Sequence, residues 1–284
     1  MKAKGLGVAA ISYDPVPTLA AFSSQRGITF PLLSDAGSAT IRRYGILNPL
    51  AEEGTGPNKD DPTVQADVRT YLSAVGIFPA LSGVSFPGTF MLDRDGKVTS
   101  RFFEDSYMER NTVSNLMIKL GNGDTPVTAL KFSGAQLDLT AWPSDSALAP
   151  GNRFSIILDI RPHPGIHVYA PGATGYRPVA LKIATQPNLR ALPVQYPPSE
   201  IYFFQPLNER VPVFQKPFQV VEDLVLEGTS QAQAALRGKE SLTLTGSFDY
   251  QACDDKECFN PASVPLSWTL SLRPVIVERP KLQK

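Results

Sequence analysis

The chain carries two cysteines, both within Tyr250-Gln251-Ala252-Cys253-Asp254-Asp255-Lys256-Glu257-Cys258-Phe259. Two thiols this close can close as a disulfide, and a disulfide within reach of a thiolate can exchange with it. Of the four residues between the sulfurs, Asp254, Asp255 and Glu257 are acidic and only Lys256 is basic. Like charge disfavours a thiolate, which counts against a strongly activated nucleophile but not against a carrier that passes electrons on contact. The spacing alone leaves two readings open: a structural bond fastening a hairpin, or a pair that opens and closes. His163 and His167 read as surface or packing residues, because Cys-x4-Cys with His-x3-His far upstream is not a usual zinc spacing. No metal and no organic cofactor is implied. Asp93 and Asp95 read as turn residues. Tyr196, Tyr202, Phe203 and Phe204 form an aromatic cluster, read as core packing or as a partner-docking patch.

The cysteines need elements to hold them. Leu242 to Tyr250 alternates and is rich in β-formers, and Val264 to Leu270 alternates again. Two such runs around a short polar segment predict a hairpin, which brings facing residues to the Cα separation a disulfide needs. Lys plus Arg equals Asp plus Glu at 27 each, so the chain lacks the electrostatic footprint of a nucleic-acid or membrane-surface binder. With 284 residues, two domains are expected. The 26 prolines and 21 glycines predict many turns and short strands. Two cysteines are too few for a disulfide scaffold.

Residues 1–121 read as α/β. The apolar run from Gly5 to Ile11 follows Lys2 and Lys4 but is short and lacks a small-residue cleavage site; it reads as a strand covered on both faces. A helix follows from Asp14 to Gln25, ended by Gly27. Thr29 to Leu33 is a strand, and Ser38 is expected to cap a helix over 39–44. Residues 48–62 read as a loop, and 64–72 as a short helix. Ser85 to Val98, with Asp95-Gly96 at its turn, predicts a second hairpin. Residues 107–120 predict a closing helix. Gly121 to Pro126 reads as a linker, after which short alternating runs at 135–139, 154–160, 167–170, 179–183 and 218–226 predict an all-β sandwich over 127–274, with 275–284 as a tail. No stretch is long enough and apolar enough to cross a membrane.

Residues 3–120 resemble the thioredoxin-like redoxins, the group that includes peroxiredoxins, on Gly5 to Asp14, Phe30-Pro31-Leu32-Leu33-Ser34-Asp35, and Phe86-Pro87-Gly88-Thr89-Phe90 with Asp93-Arg94-Asp95-Gly96. The resemblance implies that Pro87 is the cis-proline of that fold. It departs at the decisive point: no cysteine precedes residue 253, and a thiolate is the nucleophile such chemistry needs. The family's nucleophile-bearing strand would lie between the strand at 6–12 and that at 89–93. Its absence is expected to leave a hole in the sheet or to force those strands together, as in an N-terminally truncated form of a longer protein.

Residues 127–272 resemble the N-terminal periplasmic domain of DsbD-type thiol:disulfide interchange proteins, an immunoglobulin-like sandwich. The matching stretches are Pro164 to Tyr169, Tyr176-Arg177-Pro178, Leu207 to Phe214 and Tyr250 to Leu266. The resemblance implies that Cys258 exchanges with a partner and Cys253 resolves the mixed disulfide. It places a cap loop near Gln205-Pro206-Leu207-Asn208-Glu209, and His167, Tyr169 and Phe259 beside the pair. It further implies a thioredoxin-like partner and a periplasmic or otherwise extracytoplasmic location. The competing expectations are a β-sandwich adaptor with a structural disulfide, or a peroxiredoxin-like fragment.

Overall fold

The computed structural model describes residues 5–49, 53–54, 56–75, 83–103, 108–204 and 208–275. The chain divides into two compact units, Met1–Glu109 together with Val275–Lys284, and Arg110–Pro274.

In the first unit, β1 (Ala10–Ser12) lies parallel to β2 (Leu32–Ser34), with helix α1 (Val16–Arg26) between them in sequence. Gly27 ends α1 at φ 61°, a left-handed conformation that glycine adopts without steric cost. Helix α2 (Ala39–Arg43) is not capped by the Ser38 side chain, as the sequence suggests. The Asp35 carboxylate does it instead, accepting from the Thr40 and Ile41 amides at 3.0 and 2.8 Å. Ser38 sits at φ 59° and its hydroxyl donates to the Gly83 carbonyl, 2.7 Å away. Helix α3 spans Pro62–Val75. The predicted second hairpin is β3 (Gly88–Leu92) with β4 (Val98–Phe103). Its turn is closed by Asp93, whose carboxylate accepts the Asp95 and Lys97 amides.

Two expectations for this unit are corrected. β1 is not covered on both faces: Ile11 is 47% exposed and, on β2, Leu33 is 48% exposed. The reason is topological, since β1 pairs with β2 alone and β3 with β4 alone among the described residues. The sheet is left open rather than forced together. The Phe86–Pro87 peptide is trans, as are all described peptide bonds. The trans form is the ordinary preference of an X–Pro bond.

The second unit opens with β5 (Arg110–Asn111) and helix α4 (Val113–Lys119), capped by Thr112. Then come β6 (Leu130–Ser133), β7 (Leu137–Pro143), β8 (Ala147–Leu148), β9 (Asn152–Pro162), β10 (His167–Tyr169), β11 (Ala180–Ile183), β12 (Leu189–Ala191), β13 (Glu200–Phe204), β14 (Glu209–Phe214) and β15 (Phe218–Leu226). A short helix α5 (Ser230–Leu236) leads to β16 (Ser241–Tyr250), β17 (Ala252–Cys253) and β18 (Ala262–Leu272). They form three sheets. The broad one runs β12-β15-β9-β7-β6, with β5 beside β9; the others are β11-β16-β18-β8 and β13-β14-β10-β17.

All three sheets contribute to one apolar core. Ile156, Leu158, Ile160, Val220 and Leu224 come from the broad sheet, Leu244, Phe248, Leu266 and Leu270 from the second, and Val168, Phe214 and Ala252 from the third. Strand alternation sends successive side chains to opposite faces, which explains why β9 is buried on both sides. Ile156 and Leu158 face the core. Ser155 faces outward and is covered by α4, whose Asn115 amide donates to Ser155 Oγ and to Asp223 Oδ1 at 2.6 and 3.0 Å. The helix expected to close the first domain therefore belongs to the second. The division lies at 109/110, ahead of the Gly- and Asn-rich segment 121–126.

Candidate functional site: a disulfide under a tyrosine pair

The site begins with the longest ladder in the second unit. β16 and β18 pair without interruption from Ser241↔Ser271 to Tyr250↔Ala262, as the alternating sequence predicts. Beyond Tyr250 the chain leaves this sheet. β17 crosses to β10, with Ala252 opposite Val168 and Cys253 opposite His167. Asp254 to Glu257 then turn the chain tightly, and Cys253 meets Cys258 as a disulfide with Cα atoms 4.1 Å apart. The turn is organised by Asp254, whose Oδ1 accepts both the Lys256 and Glu257 amides at 2.7 Å. Those two backbone bonds, with the Lys256 charge, hold its carboxyl below the usual value. The acid next to Cys253 is thus engaged by the backbone.

Alternation fixes what surrounds the sulfurs. Val168 and Ala252 point into the core, so Cys253 and its neighbour opposite, His167, point the other way, as does Tyr169 two residues on. The same face of β14 presents Glu209, Val211 and Val213, and that of β13 presents Tyr202, paired with Val211. Tyr169, Val211, Val213 and Cys253 form a small second cluster with Tyr176 and Tyr202 packed against it.

The two sulfurs differ. Cys253 is 1% exposed, whereas Cys258 is exposed. The Tyr169 hydroxyl touches both, 2.9 Å from Cys253 Sγ and 3.4 Å from Cys258 Sγ. Its ring stacks on Tyr176 with centroids 4.0 Å apart and planes 11° from parallel. The Tyr176 hydroxyl in turn donates to Glu209 Oε2 at 2.7 Å. Burial, then the neighbouring Tyr176 and Glu209, push the Tyr169 hydroxyl well above the ordinary range. Tyr176 is raised mainly because it donates to Glu209. His167 lies edge-on to Tyr169 at 5.6 Å and against Tyr202 at 4.5 Å. Burial lowers its imidazole below the ordinary value, opposed by the Asp254 charge.

Of the residues singled out in sequence, Cys253, Cys258, His167, Tyr169 and Glu209 come together here. Gln205, Pro206 and Leu207 of the expected cap loop lie outside the described residues. Asn208 stands in the β13–β14 connection at φ 49°. Phe259 is turned to the sandwich core rather than to the sulfurs, and its amide bonds the Ala252 carbonyl at 2.9 Å. Pro87 belongs to the first unit. Tyr176 joins the residues around the disulfide; the resemblance includes Tyr176-Arg177-Pro178 as a matching stretch but gives it no place beside the pair, and it follows a Gly-bearing loop with no strand period to assign its face. Among the described residues, no group of three or more His, Cys, Asp or Glu side chains could hold a metal ion, and no helix is long and apolar enough to cross a membrane.

Residues 1–101 match the model of the AhpC/TSA family. No curated protein matches the chain. Among solved structures, the chain is similar to the N-terminal periplasmic domain of ScsB from Proteus mirabilis, at 10% identity and a TM-score of 0.33, covering 53% of this chain and 51% of that one. It therefore spans about half of that structure. It is also similar to the N-terminal domain of DsbD from Neisseria meningitidis in the reduced form, at 15% identity and a TM-score of 0.27, covering 41% of this chain and 81% of that one.

Proposed function

We propose that this chain exchanges thiols and disulfides through Cys253 and Cys258, passing an electron pair to or from a thioredoxin-like partner protein outside the cytoplasm. The observation that carries the reading is the asymmetry of the pair. One sulfur is exposed at a tight turn and the other is buried beneath a tyrosine hydroxyl that touches both. Exchange proceeds by thiolate attack along an accessible S–S axis, so the exposed Cys258 is the sulfur a partner meets. In the reducing direction, Cys258 thiolate attacks the partner disulfide and one partner thiolate leaves. Cys253 thiolate then attacks Cys258 Sγ, closing the internal disulfide and releasing the second partner thiolate. The partner gains two electrons and the dithiol loses two.

The resemblance of residues 127–272 to DsbD-type domains supports the same roles and an oxidising compartment, where such bonds persist. The first unit supplies no thiol, so the chemistry rests on the second. Equilibration against a dithiol buffer tests the reading. A labile pair is expected to have a potential above about −300 mV, whereas a value well below it marks an inert structural bond. Cys258→Ser is expected to abolish reduction of a thioredoxin-like protein; exchange persisting in that variant defeats the assignment.

A further inference from the structure

The exchange proposed above, on which this inference rests, runs in one direction by opening the internal disulfide. A partner thiolate attacks the exposed Cys258, and the electron pair of the broken S–S bond must then come to rest on Cys253. That sulfur is 1% exposed, so water is not at hand to stabilise the charge, and a buried anion without a partner is costly. The fold supplies a donor. The Tyr169 hydroxyl lies 2.9 Å from Cys253 Sγ and 3.4 Å from Cys258 Sγ. A disulfide sulfur carries no hydrogen, so in both contacts the phenol donates and the sulfur accepts. Among the described residues it is the one hydroxyl bonded to either sulfur. Its place is fixed before any charge appears. β10 is paired with β14 on one side and β17 on the other. The Tyr169 ring stacks on Tyr176 with centroids 4.0 Å apart, and Tyr176 is itself tied to Glu209 at 2.7 Å. A donor already aimed at the atom where charge develops costs no reorganisation during the reaction.

We propose that Tyr169 is a catalytic residue of the exchange, whose hydroxyl makes Cys253 the leaving sulfur by donating to the thiolate that forms there. One S–S bond forms between the partner and Cys258 while the Cys253–Cys258 bond breaks. The negative charge moves from the partner sulfur to Cys253, and no proton changes hands. The phenol keeps its own proton, since burial disfavours its ionised form. In the reverse direction the same bond holds Cys253 as a thiolate until it attacks Cys258 and expels the partner. A hydrogen bond to an ionised acceptor is roughly twice as strong as one to a neutral acceptor. The Tyr169 bond therefore favours the open thiolate over the closed disulfide. The other ionisable groups around the pair are His167 on β10, Tyr202 on β13, Glu209 on β14, Tyr176 and, in the turn, Asp254. A tyrosine that only covered the sulfurs would act in the opposite sense, because removing part of it would admit a thiol more readily.

The opposite signs make the test. The full chain, oxidised, is opened with excess dithiothreitol and the rate at which its disulfide is lost is followed. Tyr169→Phe keeps the ring and lacks only the hydroxyl. It is expected to open about tenfold more slowly, the loss of one hydrogen bond to a charged group. Opening at the parent rate or faster overturns the proposal. The thiolate is also read directly. In Cys258→Ser the remaining thiol is Cys253, and its ionisation is followed by the ultraviolet absorbance of the thiolate. Adding Tyr169→Phe to that chain is expected to raise the midpoint by about one pH unit. A midpoint that stays in place or falls overturns the proposal. Failure of the unsubstituted chain to open under dithiothreitol instead defeats the exchange reading, and this role with it.

Discussion

Glu222 is the residue whose charge the fold accommodates least. It lies on β15 between Val220 and Leu224, both in the core, and alternation turns it inward with them. It is 6% exposed, and Oε2 finds no hydrogen-bond partner among the described residues. Burial raises its carboxyl from the ordinary 4.5 to about 7. The unfolded chain releases this proton near 4.5, and the folded chain holds it until about pH 7. The stability this group contributes is therefore present in full below pH 4.5, falls as pH rises, and is gone above about 7. The loss is on the order of 3 kcal/mol. Glu222→Gln is expected to remove that slope, so the difference between the two proteins in urea-unfolding free energy widens from pH 4.5 to 7 and then levels. A difference that is flat over this window refutes the ionisation. His167, lowered by burial, contributes the opposite slope below its ordinary value, which is why the difference curve is the informative one. Adjacent on the strand, Asp223 faces outward and shows what accommodation looks like. It is fully buried, yet bonded to Ser155 and Asn115 and paired with Arg153 and Lys119, so its carboxyl is held below the usual value despite burial.

That network decides where helix α4 belongs. The 3.6-residue period of Val113, Leu116, Met117 and Leu120 is legible in sequence, and so is the helix. Its destination is not, because an apolar stripe does not say which sheet it covers. The answer lies in long-range polar partners: Asn115 meets Ser155 and Asp223 across 40 and 108 residues. Asn115→Ala removes both bonds and leaves Asp223 with fewer partners in a site that water does not reach. It is expected to cost about 1–3 kcal/mol, read as a lower urea midpoint at unchanged m-value. A midpoint unmoved from the parent would show that the helix is held by its apolar face alone. The elements around the disulfide were unevenly legible for similar reasons. The β16–β18 hairpin shows plainly in the alternation of 242–250 and 264–270. The step of β17 into a neighbouring sheet does not, since two residues carry no period. Tyr169 was legible through a family resemblance, while its stacking on Tyr176 required the fold. The capping of α2 by Asp35 rather than Ser38 is a smaller instance: both are good capping residues, and the left-handed backbone at Ser38 settles it.

On the scale of the whole chain, the two units are unlike in how they close. The second surrounds one core shared by three sheets, whereas the first leaves Ile11, Leu33, Leu92 and Val98 each more than two-fifths exposed. The α/β and all-β characters of the halves were readable from strand spacing and helix period. The boundary at 109/110 precedes the segment 121–126 that composition marks as a linker, because the helix between them is committed to the sandwich. This difference has a measurable consequence. A fragment of residues 110–274 retains β5, α4 and the whole Asp223 network, while one of residues 127–274 loses β5 and α4 and leaves Asp223 only its Ser155 and Arg153 partners. The shorter piece uncovers Ser155 and Asp223 and forfeits the burial of Leu116 and Met117, which are 4% and 7% exposed in the chain. Each such side chain is worth about 1.5–3 kcal/mol when buried, and a domain of this size holds only about 5–15 kcal/mol in all. The longer fragment is expected to unfold cooperatively with the disulfide intact. The shorter is expected to be less stable by several kcal/mol, on the order of two buried side chains, and to unfold at a much lower urea concentration. Equal midpoints for the two fragments would place the helix outside the sandwich and restore the boundary to the glycine-rich segment.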